Sequence, residues 1–199
     1  MNGPAEVGFY GKLPSHGDFI TRRLSRNFLD EWDAWLQRAI AASKADLGEQ
    51  WLDIYLTSPI WSFALGGGIC GTNAWAGVLM PSVDRVGRYF PLTLVAELHR
   101  GTPNLLSAAM RAELFFGNAE RLMIETLESE HVDLQTFDER LLGLAQALDS
   151  VEASPDVVLD SGASAIMDAE CRSERSLNAY PGSIPAQNTI RKSLKGRSD

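Results

Sequence analysis

The chain is poor in cysteine and histidine and short of positive charge. Its 199 residues hold two cysteines, Cys70 and Cys171. Two distant thiols build neither a disulfide framework nor a four-ligand zinc site. The three histidines, His16, His99 and His131, show no i,i+4 pairing, so no metal-binding helix pattern arises from them. No stretch approaches the roughly 20 apolar residues that cross a bilayer. The first residues, MNGPAE, lack the basic flank and apolar run of a signal peptide. With 18 basic residues against 26 acidic ones, the net charge is −8. That balance argues against non-specific nucleic-acid binding and against a polybasic membrane tether. The expectation is a cytoplasmic protein with reduced thiols, no nucleic-acid partner and no membrane insertion.

What is present is a globular composition, 45% hydrophobic and 22% charged, at the size of one ordinary domain. All five tryptophans (Trp32, Trp35, Trp51, Trp61, Trp75) fall in the first 80 residues. Positions 101–180 carry 15 acidic and 5 basic residues, a net of −10. The last stretch, 181–199, is polar and carries Arg191, Lys192, Lys195 and Arg197. These shifts predict one domain over 1–180, with an aromatic core in its first half and an acidic helical layer after it. A loosely ordered basic tail is expected over 181–199.

Apolar periodicity supplies the elements. Residues 6–13 (EVGFYGKL) suit a short strand, and 14–18 (PSHGD) form a turn through Pro14 and Gly17. Ser25 or Asn27 can cap a helix running to about residue 43. Its face would be Phe28, Trp32, Trp35, Leu36 and Ile40. Residues 51–56 (WLDIYL) are ambiguous between helix and strand. Strands are expected over 58–65, 75–80 and 89–98, with Pro91 confined to an edge, bulge or strand start. Thr102 and Pro103 open a helical third with a stripe at Leu106, Met110, Leu114 and Phe115, which Gly117 is expected to break. Residues 120–130 resume the helix. Another is marked by Phe137, Leu141, Leu144, Ala145 and Leu148, and a last short strand by 157–159. Trp32, Trp35, Trp61 and Trp75 are the expected centre of the core.

Chemistry-bearing motifs are few. Gly66 to Gly71 matches G-x-G-x-x-G by letter, but a strand pattern follows where a dinucleotide site needs a helix N-terminus. A hairpin loop is the better reading. Gly11-Lys12 fails the phosphate-loop spacing, because Glu6 and Leu13 stand where Gly and Ser or Thr are required. No G-x-S-x-G elbow occurs. Ser15 and His16 are sequence neighbours, a poor arrangement for nucleophile and base. His16 and Asp18 offer two metal ligands, one short of a site even before Asp84 is enlisted from afar. No metal and no cofactor are expected.

The densest polar cluster is Pro81-Ser-Val-Asp84-Arg85-Val-Gly87-Arg88-Tyr-Phe-Pro91. Two readings stay open for Arg85 and Arg88, and for Arg22 and Arg23 before the first helix. They pair internally with a carboxylate such as Asp84, or they present planar donors to a partner. Loops 14–18 and 81–88 are expected to lie together, with Asp18 or Asp84 touching an arginine.

Four blocks carry a resemblance. They are Gly8 to Phe19 (GFYGKLPSHGDF), Trp32 to Leu36 (WDAWL), Ser58 to Phe63 (SPIWSF) and Gly77 to Leu92 (GVLMPSVDRVGRYFPL). In this order they resemble the type VI secretion accessory proteins of the TagF (ImpM) family, over roughly residues 7–150. Gly11, Pro14, His16, Gly17, Asp18, Trp61, Pro81 and Gly87 are the motif positions. The resemblance implies an α/β fold, a single-domain three-layer α-β-α sandwich. The strand reading adds a mixed, largely antiparallel central sheet. The resemblance also implies a cytoplasmic, non-enzymatic repressor acting after translation through the forkhead-associated scaffold protein of type VI secretion. The pathway phosphatase is a further possible partner. No catalytic residues carry over. Arg22, Arg23, Asp84, Arg85 and Arg88 are the candidate partner-binding residues. The competing readings are a small hydrolase using His16, Asp18 and Asp84, and a structural subunit of the secretion machine.

Overall fold

Strand alternation in the first hundred residues and helical periodicity after them resolve into ten elements among the described residues. The computed structural model describes residues 6–98, 113–129 and 132–152. In chain order it has β1 (Val7–Gly11), β2 (Ile20–Arg22), α1 (Arg26–Leu47), a 3-10 turn (Gly48–Gln50) and α2 (Trp51–Thr57). There follow β3 (Trp61–Leu65), β4 (Ala74–Met80), β5 (Leu92–Leu98), α3 (Glu113–Glu128) and α4 (Leu134–Glu152). The strands form one sheet in the order β2-β1-β5-β4-β3. Every pairing in it is antiparallel.

The pleat sends alternate residues to opposite faces, and each face has its own helical cover. Val7 and Phe9 of β1, Val78 and Met80 of β4, and Leu92 and Leu94 of β5 pack with Phe115, Met123 and Leu127 of α3 and Phe137 and Leu141 of α4. On the other face Trp75, Val95 and Leu65 pack with Phe28, Trp32 and Leu36 of α1. The result is helix, sheet, helix: a three-layer sandwich with an antiparallel centre.

Local chemistry accounts for the helix ends. The Ser25 hydroxyl accepts the Phe28 N–H and starts α1, and Gly48, at φ 52°, ends it with its N–H on Lys44. The Asp133 carboxylate accepts the Thr136 N–H at 2.9 Å and its hydroxyl at 2.7 Å, capping α4. Pro91 stands just before β5, at a strand start, where its missing N–H is harmless.

Several expectations change. The ambiguous segment 51–56 is helical: Trp51 and Leu56 are buried while Leu52 and Ile54 face outward. Gly117 does not break α3, which runs through it. The buried stripe of α3 is Phe115, Ala119, Leu122 and Met123, and Leu114 is exposed. Strand β2 carries too short an apolar pattern to be anticipated. Two of the four core tryptophans are misplaced. Trp32 and Trp75 are buried, but Trp35 is 40% and Trp61 57% exposed. Trp35 misses the strict Phe28, Trp32, Leu36 spacing by one residue, and Trp61 sits on an edge strand. Leu106, Met110 and Leu148, residues 157–159 and the tail 181–199 lie outside the residues whose side chains or backbone are described.

One glycine fixes how β1 leaves the sheet. Gly11 has φ 141°, and a Cβ there would collide with the Pro91 carbonyl and the Leu92 Cα. Gly11→Ala is expected to cost at least about 2 kcal/mol, combining strain with a backbone clash. A urea unfolding curve with an unchanged midpoint would show that the close approach is dispensable.

Candidate functional site

The two motif loops meet at one end of the sheet. Residues 12–19 join β1 to β2, and residues 81–91 join β4 to β5. The Arg85 N–H donates to the His16 carbonyl at 2.9 Å, and the Arg88 guanidinium donates to the Gly17 carbonyl. The expectation that these loops lie together is met.

Asp84 is the centre of the arrangement and is fully buried. Its Oδ2 accepts from Lys12 Nζ at 2.5 Å and from Arg88 Nε at 2.7 Å. Its Oδ1 accepts the N–H groups of Val86 at 3.0 Å and Arg88 at 2.8 Å. The loop closes on itself through Asp84 N–H to Arg88 carbonyl and Gly87 N–H to Asp84 carbonyl, with Gly87 at φ 83°. Burial by itself pushes the Asp84 carboxyl up. The hydrogen bonds from Lys12, from the Arg88 backbone and side chain and from Val86 outweigh that and hold it at about 2.

A second set of bonds ties this loop to its surroundings. The Tyr55 hydroxyl donates to the Ser82 carbonyl and accepts the Ser82 N–H, both at 2.9 Å. The Ser82 hydroxyl donates to the Lys12 carbonyl at 2.8 Å. Burial raises the Tyr55 phenol well above its ordinary value. Lys12 also lies over the Phe19 ring, 4.9 Å from its centroid. Phe19 in turn stacks on Tyr10 at 5.6 Å and meets Phe90 edge-on at 4.8 Å. Motif residues Gly11, Pro14, Gly17, Pro81 and Gly87 therefore shape backbone around one buried charge network.

The arginines divide. Arg23, at φ 52°, donates from Nε to the Val7 carbonyl at 2.8 Å and pairs with Asp138 of α4 at 2.7 Å. It belongs to the interior joint between β2 and α4, not to a free surface. Arg88 is anchored on Asp84, yet its side chain stays 57% exposed. Arg22 and Arg85 are exposed. Asp84 lies beneath the surface, so its carboxylate is not presented to solvent. The two loops also carry the exposed apolar residues Phe19 and Val86. Phe19 and Val86 are not singled out from sequence, and Lys12 is weighed there only as a phosphate-loop lysine.

The hydrolase reading loses its parts here. Asp84 has both oxygens saturated and no free lone pair aimed at solvent. His16 Nδ1 lies 2.8 Å from the Ser15 hydroxyl of its own turn, so this pair does face each other, which sequence neighbours rarely do. Asp18 is exposed on the loop. The three do not form a nucleophile, base and orienting acid. Among the described residues no group of three or more His, Cys, Asp or Glu side chains is placed to hold a metal ion. Residues 66–71 form the β3–β4 hairpin loop, closed by the Gly68 N–H on the Gly71 carbonyl at 2.7 Å, so the glycine-rich letters serve a turn. No described helix is long and apolar enough to cross a membrane.

The TagF N-terminal domain, Type VI secretion system-associated, matches residues 8–144. The protein PA0076 of Pseudomonas aeruginosa PAO1, known from a crystal structure, superposes with a TM-score of 0.64 at 35% identity, over 96% of this chain and 78% of that one. The search of curated proteins gives no match. The matched span contains both loops, the Lys12–Asp84–Arg88 network and all five strands but the first residue of β1; the chain belongs to the TagF N-terminal domain family, associated with the type VI secretion system.

Proposed function

We propose that this chain is a cytoplasmic, non-enzymatic repressor of type VI secretion that works by binding the forkhead-associated scaffold protein. Its contact face is Arg85 and Arg88 with Phe19 and Val86 on the two loops, flanked by Arg22 on the adjoining edge strand β2. The observation that carries the reading is the buried Lys12–Asp84–Arg88 network. It holds an arginine-bearing loop rigid on a protein of net charge −8. A preorganised loop loses little entropy on binding. Arginine suits an interface because its planar, weakly hydrated group makes several bonds at once. A local positive patch on an acidic body also orients an approaching acidic partner.

The test is capture of the purified scaffold by wild type, Arg22→Glu, Arg85→Glu and Val86→Asp, each matched to wild type in thermal melting. These three positions are exposed. Binding is expected to weaken about tenfold or more, equivalent to about 1.4 kcal/mol, in Arg85→Glu. Full binding by all three folded variants removes this face. Absence of binding by wild type removes the scaffold as partner, and capture of the pathway phosphatase instead would redirect the reading to it.

A further inference from the structure

The sheet has two edges, and they are treated differently. The β2 edge is three residues long, ends in Arg22 and is followed at once by Arg23, whose backbone leaves the extended conformation at φ 52°. Short length, charge and a kink are how native proteins keep an edge from pairing. The β3 edge has none of these. It runs five residues, Trp-Ser-Phe-Ala-Leu, with no proline, no charge and regular one-to-one register to β4. Among the described residues no strand pairs with its outer side. Trp61 at its start is 57% exposed, and Ile69 in the following loop is 44% exposed.

We infer that β3 is a self-association edge, where a second copy of this chain adds its own β3 antiparallel and joins two five-stranded sheets into one. Charge is what selects a second copy. Residues 58–69 (SPIWSFALGGGI) form a twelve-residue run without a single charged side chain, in a chain of net charge −8. Two identical acidic proteins repel in general, and a seam without charged side chains adds nothing to that repulsion.

Register and shape agree. A two-fold axis through Phe63 sets Trp61 opposite Leu65 and Ser62 opposite Ala64. It leaves the same sheet face on the same side in both copies. Trp61, Phe63 and Leu65 then share the α1 face across the seam, so the exposed indole meets apolar neighbours from the second copy. Beyond the strand, Pro59 and Ile60 come opposite Gly67 and Gly66, which add no bulk. Pro59 lacks an N–H and limits the ladder to the strand itself. Such an interface is isologous and closed, giving a dimer and not a filament.

Sedimentation velocity over about two decades of protein concentration is the experiment. Wild type is expected to convert from monomer to dimer. Ser62→Lys and Ser62→Glu, both at an exposed position, are each expected to raise the dimer dissociation constant about tenfold or more, with melting unchanged, because like charges meet diagonally across the seam. Mixing the two variants is expected to restore the dimer, since the charges are then opposite. Wild type that stays monomeric at every concentration overturns the inference. So does a dimer that both variants leave intact, or a mixture no tighter than either variant alone. Scaffold capture by Ser62→Lys should equal that of wild type, which separates this edge from the arginine loops.

Discussion

Asp84→Asn is expected to lower stability by about 3–5 kcal/mol, the cost of leaving a buried charge without its counter-ion. Lys12 is buried, and its ammonium has Asp84 as its ion-pair partner at 2.5 Å. Asparagine keeps the size but not the charge, and one of its two polar atoms is a donor where four donors already converge. Urea unfolding of the variant at neutral pH measures the loss. The pair as a whole need not stabilise much, because desolvation offsets attraction. Lys12→Met combined with Asp84→Leu is therefore expected to regain a large part of what Asp84→Asn loses. An Asp84→Asn variant with a wild-type midpoint would show that the network is slack.

The same network sets an acid dependence with a definite sign. The folded carboxyl titrates at about 2, against an ordinary 3.8. A depressed pKa means stability that is fully present above pH 4 and is lost as pH falls from about 4 toward 2, on the order of 2 kcal/mol in total. In Asp84→Asn this contribution to the acid slope is absent. Because Asp84 Oδ2 also accepts from Arg88 Nε, an amide donor in its place releases the Arg88 side chain that ties the loop to Gly17. Scaffold capture should fall in Asp84→Asn even where residual folding persists. Arg85→Glu, by contrast, should lose capture without losing stability.

The sequence makes legible those elements whose pattern is decided locally. The Phe28, Trp32, Leu36 spacing, the Ser25 cap and the Gly48 stop define α1, and the apolar run at 74–80 is long enough to be a central strand. Long-range pairing is another matter. The three-residue β2 exists because Ile20 to Arg22 hydrogen-bond to β1, and nothing local demands it. Gly117 stays helical because α3 packs on the sheet through Phe115 and Ala119, and tertiary contact outweighs glycine's roughly 1 kcal/mol penalty. For the site, the meeting of loops 14–18 and 81–88 could be argued from complementary charge and turn residues. Lys12 as the buried partner could not, since lysine is seldom buried unless paired and its pair lies 72 residues away. Sequence composition also cannot say which tryptophans sit over the middle of a sheet and which over its edge.

That distinction has a measurable consequence. Trp32→Ala is expected to cost about 3–5 kcal/mol, as for a fully packed aromatic residue. Its indole stacks on Phe63 and Trp35, each at 4.8 Å between centroids, and lies against Phe28 at 5.8 Å. Its N–H donates to the buried Thr93 hydroxyl at 2.9 Å. Truncation opens a cavity between α1 and the sheet and leaves that hydroxyl without its donor, so two penalties add. For a chain of this size the melting midpoint should fall on the order of 10 °C. Trp61→Ala removes an indole that is 57% exposed and makes a long 3.4 Å bond to the Ser58 hydroxyl. It should cost no more than about 1 kcal/mol. Thermal melts of the two variants side by side decide the matter. Equal losses would place Trp61 in the core after all. A large loss in Trp32→Ala alone leaves Trp61 as surface that the fold does not require, and sedimentation of the folded Trp61→Ala variant then reports whether the β3 edge does.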